Sequence, residues 1–188
     1  MADTEVGVYY RPQDGVGFLR RVLIDVVDGV VLLLTWTCIL VVINLLFLLS
    51  YVSAALAQHM CFWSISGITF AYLVLLKRWG RTLGYLLLGA QLVSIKGTRP
   101  SYVSLVIRSL FLFLGPMNTL LDLMWLSADP HRQSIRDKFA RTYVIRRGAQ
   151  PQGQGPIRYM ILSMMNYTLI VPEVARTPAE NKQPVAAI

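Results

Sequence analysis

Hydrophobic positions dominate the first half of the chain in two long runs. Residues 29–50 carry no charge, and about 20 apolar residues are enough for a helix to cross a bilayer. An amphipathic start at residue 16 leads into this first helix, which runs to about residue 50. Residues 51–60 are uncharged and read as a short external turn merging into a second span over 54–76. That span ends at Lys77-Arg78-Trp79, where basic residues and an indole fit a membrane–water interface on the cytoplasmic side. Residues 80–99 are punctuated by Gly80, Gly84, Gly89 and Gly97, and the apolar stretch 85–95 is too short to span. It predicts a small cytoplasmic strand or interfacial segment turning at Lys96-Gly97. Residues 101–127 are apolar again, but carry Arg108 and Asp122 and are broken at Gly115-Pro116.

Further along, residues 150–156 are rich in Gln, Gly and Pro and predict a linker. The uncharged stretch 159–172, with Met160, Met164, Met165 and Tyr167, cannot span a bilayer as a helix. It is expected to lie in the interface, pack on the core or meet another protein, since methionine adapts to irregular surfaces. Residues 176–188 read as a flexible tail. The chain thus divides into a cytoplasmic tail (1–15), a membrane domain (16–149) and a linker with an apolar extension (150–188).

Composition agrees with this pattern. The 188 residues are 55% hydrophobic and only 15% charged, against ~25% charged in soluble domains. The net charge of +8 is not spread as a nucleic-acid surface would need. It falls in two blocks, 77–99 and 132–147, each flanking an apolar stretch as cytoplasmic loops do. Nucleic acid is therefore not an expected partner; the bilayer is. Both blocks lie on one side only if the chain crosses an even number of times. A re-entrant or short helical hairpin over 101–127, hinged at residues 115–118, meets that condition. The fold class is then an all-α membrane protein with two transmembrane helices, a broken hairpin and a small cytoplasmic strand or amphipathic region. The N-terminus is cytoplasmic and carries Asp3, Glu5 and Asp14 rather than a signal-peptide core.

The charges inside these apolar stretches are the candidate chemistry. Arg21, Asp25 and Asp28 are spaced i, i+4, i+7 and share one helix face. They form either a structural ion pair at the helix mouth or an ion or proton relay, with the structural reading favoured. Arg108 and Asp122 are placed to pair across the hairpin break; Arg108 is alternatively placed to reach Asp28 or to snorkel to the headgroups. Asn44 predicts an interhelical hydrogen bond. Asp137, between Arg136 and Lys138, is expected to cap or brace a short helix before a strand at 142–145, which is placed to pair with 88–93. Cys38 and Cys61 read as buried thiols, and His59 and His131 have no metal-ligand partners nearby. No phosphate loop, zinc signature or nucleophile elbow is present. No catalysis, metal or cofactor is expected.

With these motifs in order, the chain resembles the RDD family of small bacterial membrane proteins, named for one arginine and two aspartates. The opening Gly17-Phe18-Leu19-Arg20-Arg21 with Asp28-Gly29 is similar to the family's first helix. The segment Gly80-Arg81-Thr82-Leu83-Gly84 is similar to its glycine-rich loop, Gly97-Thr98-Arg99-Pro100-Ser101 leads to Arg108, and residues 132–142 resemble its closing block. The resemblance covers residues 16–146 and assigns Arg21, Asp28 and Asp137 as the signature charges. Asp25 stands where the family usually has a small apolar residue, Tyr85 where lysine is common, Arg136 where histidine is common, and Arg141 where glycine is common. It implies a helical inner-membrane protein, with transport proposed for the group and ion exchange for some members.

Two functions follow as expectations. The first is a non-catalytic accessory, assembly or stabilising subunit of a larger membrane complex. It would contact other subunits through its helix faces and through Met160, Met164, Met165 and Tyr167. The second is a small cation/proton exchanger using Asp25, Asp28, Arg108 and Asp122.

Overall fold

The computed structural model describes residues 5–113, 122, 124–126, 129, 132–164 and 167–175. Two long helices carry the membrane region. Helix α1 (Phe18–Leu48) has 31 residues and at 1.5 Å rise is roughly 46 Å long. Helix α2 (Ala54–Phe70) is capped by the Ser53 hydroxyl, which accepts from the Leu56 N–H, and continues as a π-turn, Ala71–Leu76. The first helix stops where Ser50 takes a positive φ of 59°, so His59 sits within α2 rather than in the turn.

Both spans, Phe18–Leu48 and Ala54–Leu76, are long and apolar enough to cross a membrane, and only 11% of each one's apolar window is buried. A water-soluble core helix would be mostly covered. These faces instead leave Val30, Leu34, Val41, Phe62 and Trp63 bare, a surface suited to hydrocarbon. By length and apolarity, the two helices are suited to cross a bilayer. Asn44 does not bridge to another helix: its amide donates to Leu40 O at 2.8 Å, within α1. Cys38 is exposed on the same lipid-suited surface rather than buried.

Short elements gather at one end of the two helices. Helix α3 (Leu83–Leu87) packs on α1, and α4 (Tyr102–Phe113) packs on the π-turn. Helix α5 (Ile135–Phe139) follows, with Asp122 and residues 124–126 also helical. The hinge expected at 115–118 lies outside the described residues.

The all-α expectation is incomplete, because five strands complete the fold. Strands β2 (Ala90–Ser94) and β3 (Thr142–Arg146) pair antiparallel, with Leu92 opposite Val144. Strands β1 (Val6–Tyr9), β4 (Gly153–Met164) and β5 (Tyr167–Val174) form a second sheet, ordered β1-β4-β5. The β2–β3 ribbon is apolar on both faces and is covered on both. Val93, Ile95, Tyr143 and Ile145 face Val8, Tyr9, Ile157 and Val174 of the other sheet. Leu92 and Val144 turn the other way, onto Val16, Ile24, Val74, Tyr85 and Leu105. A strand buried on both sides reads as a continuous apolar run rather than an alternating one.

Two segments therefore behave differently from the sequence expectation. Residues 6–9, expected in a tail, pair with residues 153–156, expected in a linker. The glycines that mark that linker are there for close approach: a Cβ on Gly155 would run into the carbonyl oxygen of Ala175. The apolar stretch 159–172 forms the body of the β4–β5 hairpin.

Candidate functional site

At the end of α1 that faces the sheets, the structure buries charge on a scale unusual for so small a protein. Arg21, Lys77, Arg108, Arg136 and Lys138 are all at most 5% exposed, as are Asp28, Asp122 and Asp137. Asp129 is buried and Asp25 half-buried. Five cations thus meet five carboxylates, and such a cluster persists only where nearly every charge has partners.

Asp137 is the centre. It is completely buried, and its carboxylate accepts from both the Arg21 and the Arg108 guanidinium. It also occupies the third position of α5, where it closes a capping box. Ser134 Oγ accepts from the Asp137 N–H, and the Asp137 carboxylate accepts from the Ser134 N–H. Arg21 is pinned from the other side as well, donating to Val16 O at 3.0 Å and to Arg132 O at 2.7 Å. Arg108 donates further to Thr142 Oγ1 at 3.0 Å. One carboxylate therefore ties α1, α4 and α5 together.

A second knot surrounds Arg136. Its Nη2 donates to Asp25 Oδ2 at 2.7 Å, and its backbone N–H donates to Asp122 Oδ1 at 2.7 Å. Its Nε stands 2.9 Å from Asp122 Oδ2, an ion contact too poorly angled for a hydrogen bond. Burial works against the Arg136 charge, but Asp25 and Asp122 outweigh it and raise the guanidinium above its ordinary pKa. Beside it, Lys138 Nζ lies 2.5 Å from Asp129 Oδ1, while Asp129 Oδ2 accepts from the Gln133 N–H at 2.9 Å.

Asp28 belongs to neither knot. It accepts from Tyr72 OH at 2.9 Å, Thr82 Oγ1 at 3.0 Å and the Gly84 N–H at 2.9 Å. This carboxylate joins α1 to the π-turn and to the start of α3. Gly84 makes the approach possible: a Cβ there would stand 2.5 Å from Ile24 O and 2.8 Å from Asp28 Oδ1.

The three charges on one face of α1 do not pair with one another. Arg21 and Asp25 reach neighbouring residues of α5, Asp137 and Arg136, and Asp28 reaches the π-turn and the start of α3, because the chain folds back over that face. Arg108 and Asp122 likewise do not meet. Arg108 goes to Asp137 and Asp122 to Arg136, since α5 inserts between them.

The pattern of the RDD family matches residues 16–141, about two-thirds of the chain. This chain belongs to the RDD family. No curated protein and no solved structure matches it. In this RDD protein Arg21 and Asp137 are direct partners. Asp28 holds the loop at Thr82 and Gly84 instead. Arg141 has a positive φ of 53°, the conformation that favours glycine. Its side chain reaches outward, donating to Tyr159 OH at 2.6 Å and lying 3.6 Å from Glu5. This side chain thus couples the core to the β4–β5 hairpin and to the segment before β1.

Residues to which the sequence assigned no partner complete the site. Tyr72, Thr82 and Gly84 hold Asp28, and Arg136 and Lys138 supply two of the cations. The Ser134-x-x-Asp137 spacing was the available signal for the capping box; nothing local marks Tyr72 or Thr82 as partners of Asp28. Among the described residues no group of three or more His, Cys, Asp or Glu is placed to hold a metal ion. His131 and Met165 lie outside the described residues, and of Met164 and Tyr167 only the backbone is described. Met160 is 51% exposed, with Tyr159, Ile161 and Ile170 also exposed beside it.

A cavity of ≈ 190 Å³ opens between α1 and α2 next to the clasp, lined by Asp25, Asp28, Gly29, Trp36, Thr69 and Lys77, with Leu32 and Leu73. Its far end is marked by an interhelical hydrogen bond, Trp36 Nε1 to Thr69 Oγ1 at 2.9 Å.

Proposed function

We propose that this RDD protein is a non-catalytic accessory or stabilising subunit of a larger complex in the bacterial inner membrane. Its N-terminus lies on the cytoplasmic side. The observation that carries this reading is the division of labour between clasp and hairpin. The clasp holds its charges in fixed partnerships. The hairpin displays Tyr159, Met160, Ile161 and Ile170 to the outside, on strands whose central register places Ile161 opposite Ile170. An exposed apolar surface on an otherwise well-ordered body is the usual mark of a protein contact. The orientation rests on the basic residues at the clasp end of both helices.

The test uses the pair Ile161→Ser and Ile170→Thr, which alters the display without touching the clasp. Affinity purification from native membranes, compared by mass spectrometry, should lose a defined set of membrane subunits in the variant, with thermal unfolding nearly unchanged. Identical co-purification profiles would overturn the reading.

A cation/proton exchanger is the second reading, favoured by the carboxylates of Asp25 and Asp28 in the cavity wall. Against it, Asp25 is already paired with Arg136 and Asp28 already accepts three hydrogen bonds. Proteoliposomes test this directly. Cation flux driven by a pH gradient and abolished by Asp28→Asn would favour exchange over the accessory role.

A further inference from the structure

Between Asp28 and Asp122 the chain contains no acidic residue, yet it carries Lys77, Arg78, Arg81, Lys96, Arg99 and Arg108. Three of these cations have carboxylates to meet. Lys77 lies in the cavity wall with Asp25 and Asp28, Lys96 pairs with Glu5 at 3.2 Å, and Arg108 pairs with Asp137. Arg78, Arg81 and Arg99 are placed differently. Among the described residues none of these three has a carboxylate within ion-pair distance, and none donates a side-chain hydrogen bond.

The three are nevertheless held in one cluster. The second span ends at Leu76, and the chain leaves it through a Schellman turn. There the Arg81 N–H donates to Leu76 O at 3.1 Å and the Gly80 N–H to Lys77 O at 3.0 Å, with Gly80 at a φ of 62°. On the other side Pro100 is buried, and the Ser101 hydroxyl accepts from the Ser104 N–H at 3.1 Å, which fixes the first turn of α4. The two segments interlock through stacked cations. Arg78 lies 4.0 Å over the Tyr102 ring, and Arg99 and Arg81 lie 5.0 Å and 5.6 Å over the Trp79 ring. A guanidinium stacked on a ring keeps its in-plane N–H donors free for an anion. Trp79, Leu83, Tyr102 and Val103 are exposed on the same two segments.

From these three stacked arginines without carboxylate partners, we infer that the turn after the second span and the start of α4 form a docking surface for the anionic phospholipid headgroups of the adjacent leaflet. Arg78 and Trp79 follow the end of the span by less than one helical turn. That is headgroup depth, where basic and indole side chains belong. Lipid phosphates accept from the guanidinium N–H groups of Arg78, Arg81 and Arg99, while Trp79, Leu83, Tyr102 and Val103 meet the top of the acyl layer. Charge complementarity is one-sided here, as it is not in the clasp, and a basic cluster of this kind beside a span favours anionic over zwitterionic lipid.

Full-length protein in detergent is titrated with dioctanoyl-phosphatidylglycerol or dioctanoyl-phosphatidylcholine, and bound lipid is counted by native mass spectrometry. The parent should prefer phosphatidylglycerol. Arg81→Gln and Arg99→Gln should each weaken phosphatidylglycerol binding about fivefold, the effect of one basic residue near an anionic membrane surface, and leave phosphatidylcholine binding unchanged. Arg99→Lys should keep the preference. Both arginines are exposed, so thermal unfolding of these variants should match the parent. Lys96→Gln removes a cation of the same loop that Glu5 already partners, and should change neither lipid. Equal binding of the two lipids by the parent would overturn the inference. So would a preference that survives the combined Arg78→Gln, Arg81→Gln and Arg99→Gln variant, or a loss after Lys96→Gln as large as after Arg99→Gln, since net charge alone would then account for it. Loss of the preference on adding inorganic phosphate alone would assign the arginines to a soluble anion and overturn the lipid surface.

Discussion

Arg21 and Asp137 stand 116 positions apart in the chain and are direct ion partners in its buried interior. Arg108 shares the same carboxylate. The pairing brings the start of the first membrane helix, the apolar fourth helix and the short fifth helix to one point, where two guanidinium groups share a single carboxylate.

Asp137→Asn retains the shape and the capping role of that residue but removes the charge. Arg21 and Arg108 would then face each other without a counter-ion, and breaking a buried pair in this way costs about 3–5 kcal/mol. Thermal unfolding in detergent should show a large drop. A midpoint within a degree or two of the parent would mean that water reaches the cluster.

Gly84→Ala tests the close approach of α3 to α1. The added methyl would press on Ile24 O and the Asp28 carboxylate, displacing the Gly84 N–H from its acceptor. Overpacking together with a lost hydrogen bond to a charged group predicts a loss of roughly 2–4 kcal/mol. The readout is the urea midpoint, with Gly80→Ala, whose Cβ has open space but a positive φ, as the milder comparison.

Arg141→Gly separates backbone strain from side-chain contact. Removing the side chain relieves the left-handed φ by about 1 kcal/mol, yet it also releases Tyr159 and Glu5. The body should unfold at the same or a higher temperature while amide exchange around Tyr159 accelerates. Unchanged exchange there would show that the hairpin is held by β1 and the core alone.

Arg136→His would install a titrating group between Asp25 and Asp122. The field of those two carboxylates raises the arginine and would likewise raise a histidine above its ordinary value of about 6.5. A raised value means that folding binds the proton more tightly. The added stability is then fully present below pH ~6.5 and is lost as pH rises through the higher folded value. Unfolding midpoints across pH 5 to 9, a range of about four units centred near the histidine value, should fall with rising pH in the variant and stay flat in the parent. A flat profile in the variant would place Asp25 and Asp122 too far from residue 136 to act on it.

Much of the membrane architecture was legible along the chain, because length and apolarity alone decide whether a helix suits a bilayer. The two spans, the strand near residues 88–93 and its partner near 142–145 could all be read in this way. So could the role of Asp137 as a helix brace, since a capping box is a local pattern. The family motifs added Arg21, Asp28 and Asp137 as a set. The partners of each charge were not legible. Helical periodicity places Arg21, Asp25 and Asp28 on one face, but pairing in a buried cluster depends on which distant segment folds over that face. Only the tertiary structure sends Arg21 to Asp137, Asp25 to Arg136 and Asp28 to the Gly84 loop. The same reason explains the two terminal segments: residues 6–9 and 153–156 are too short to declare themselves, and become strands because each supplies the edge that the other needs.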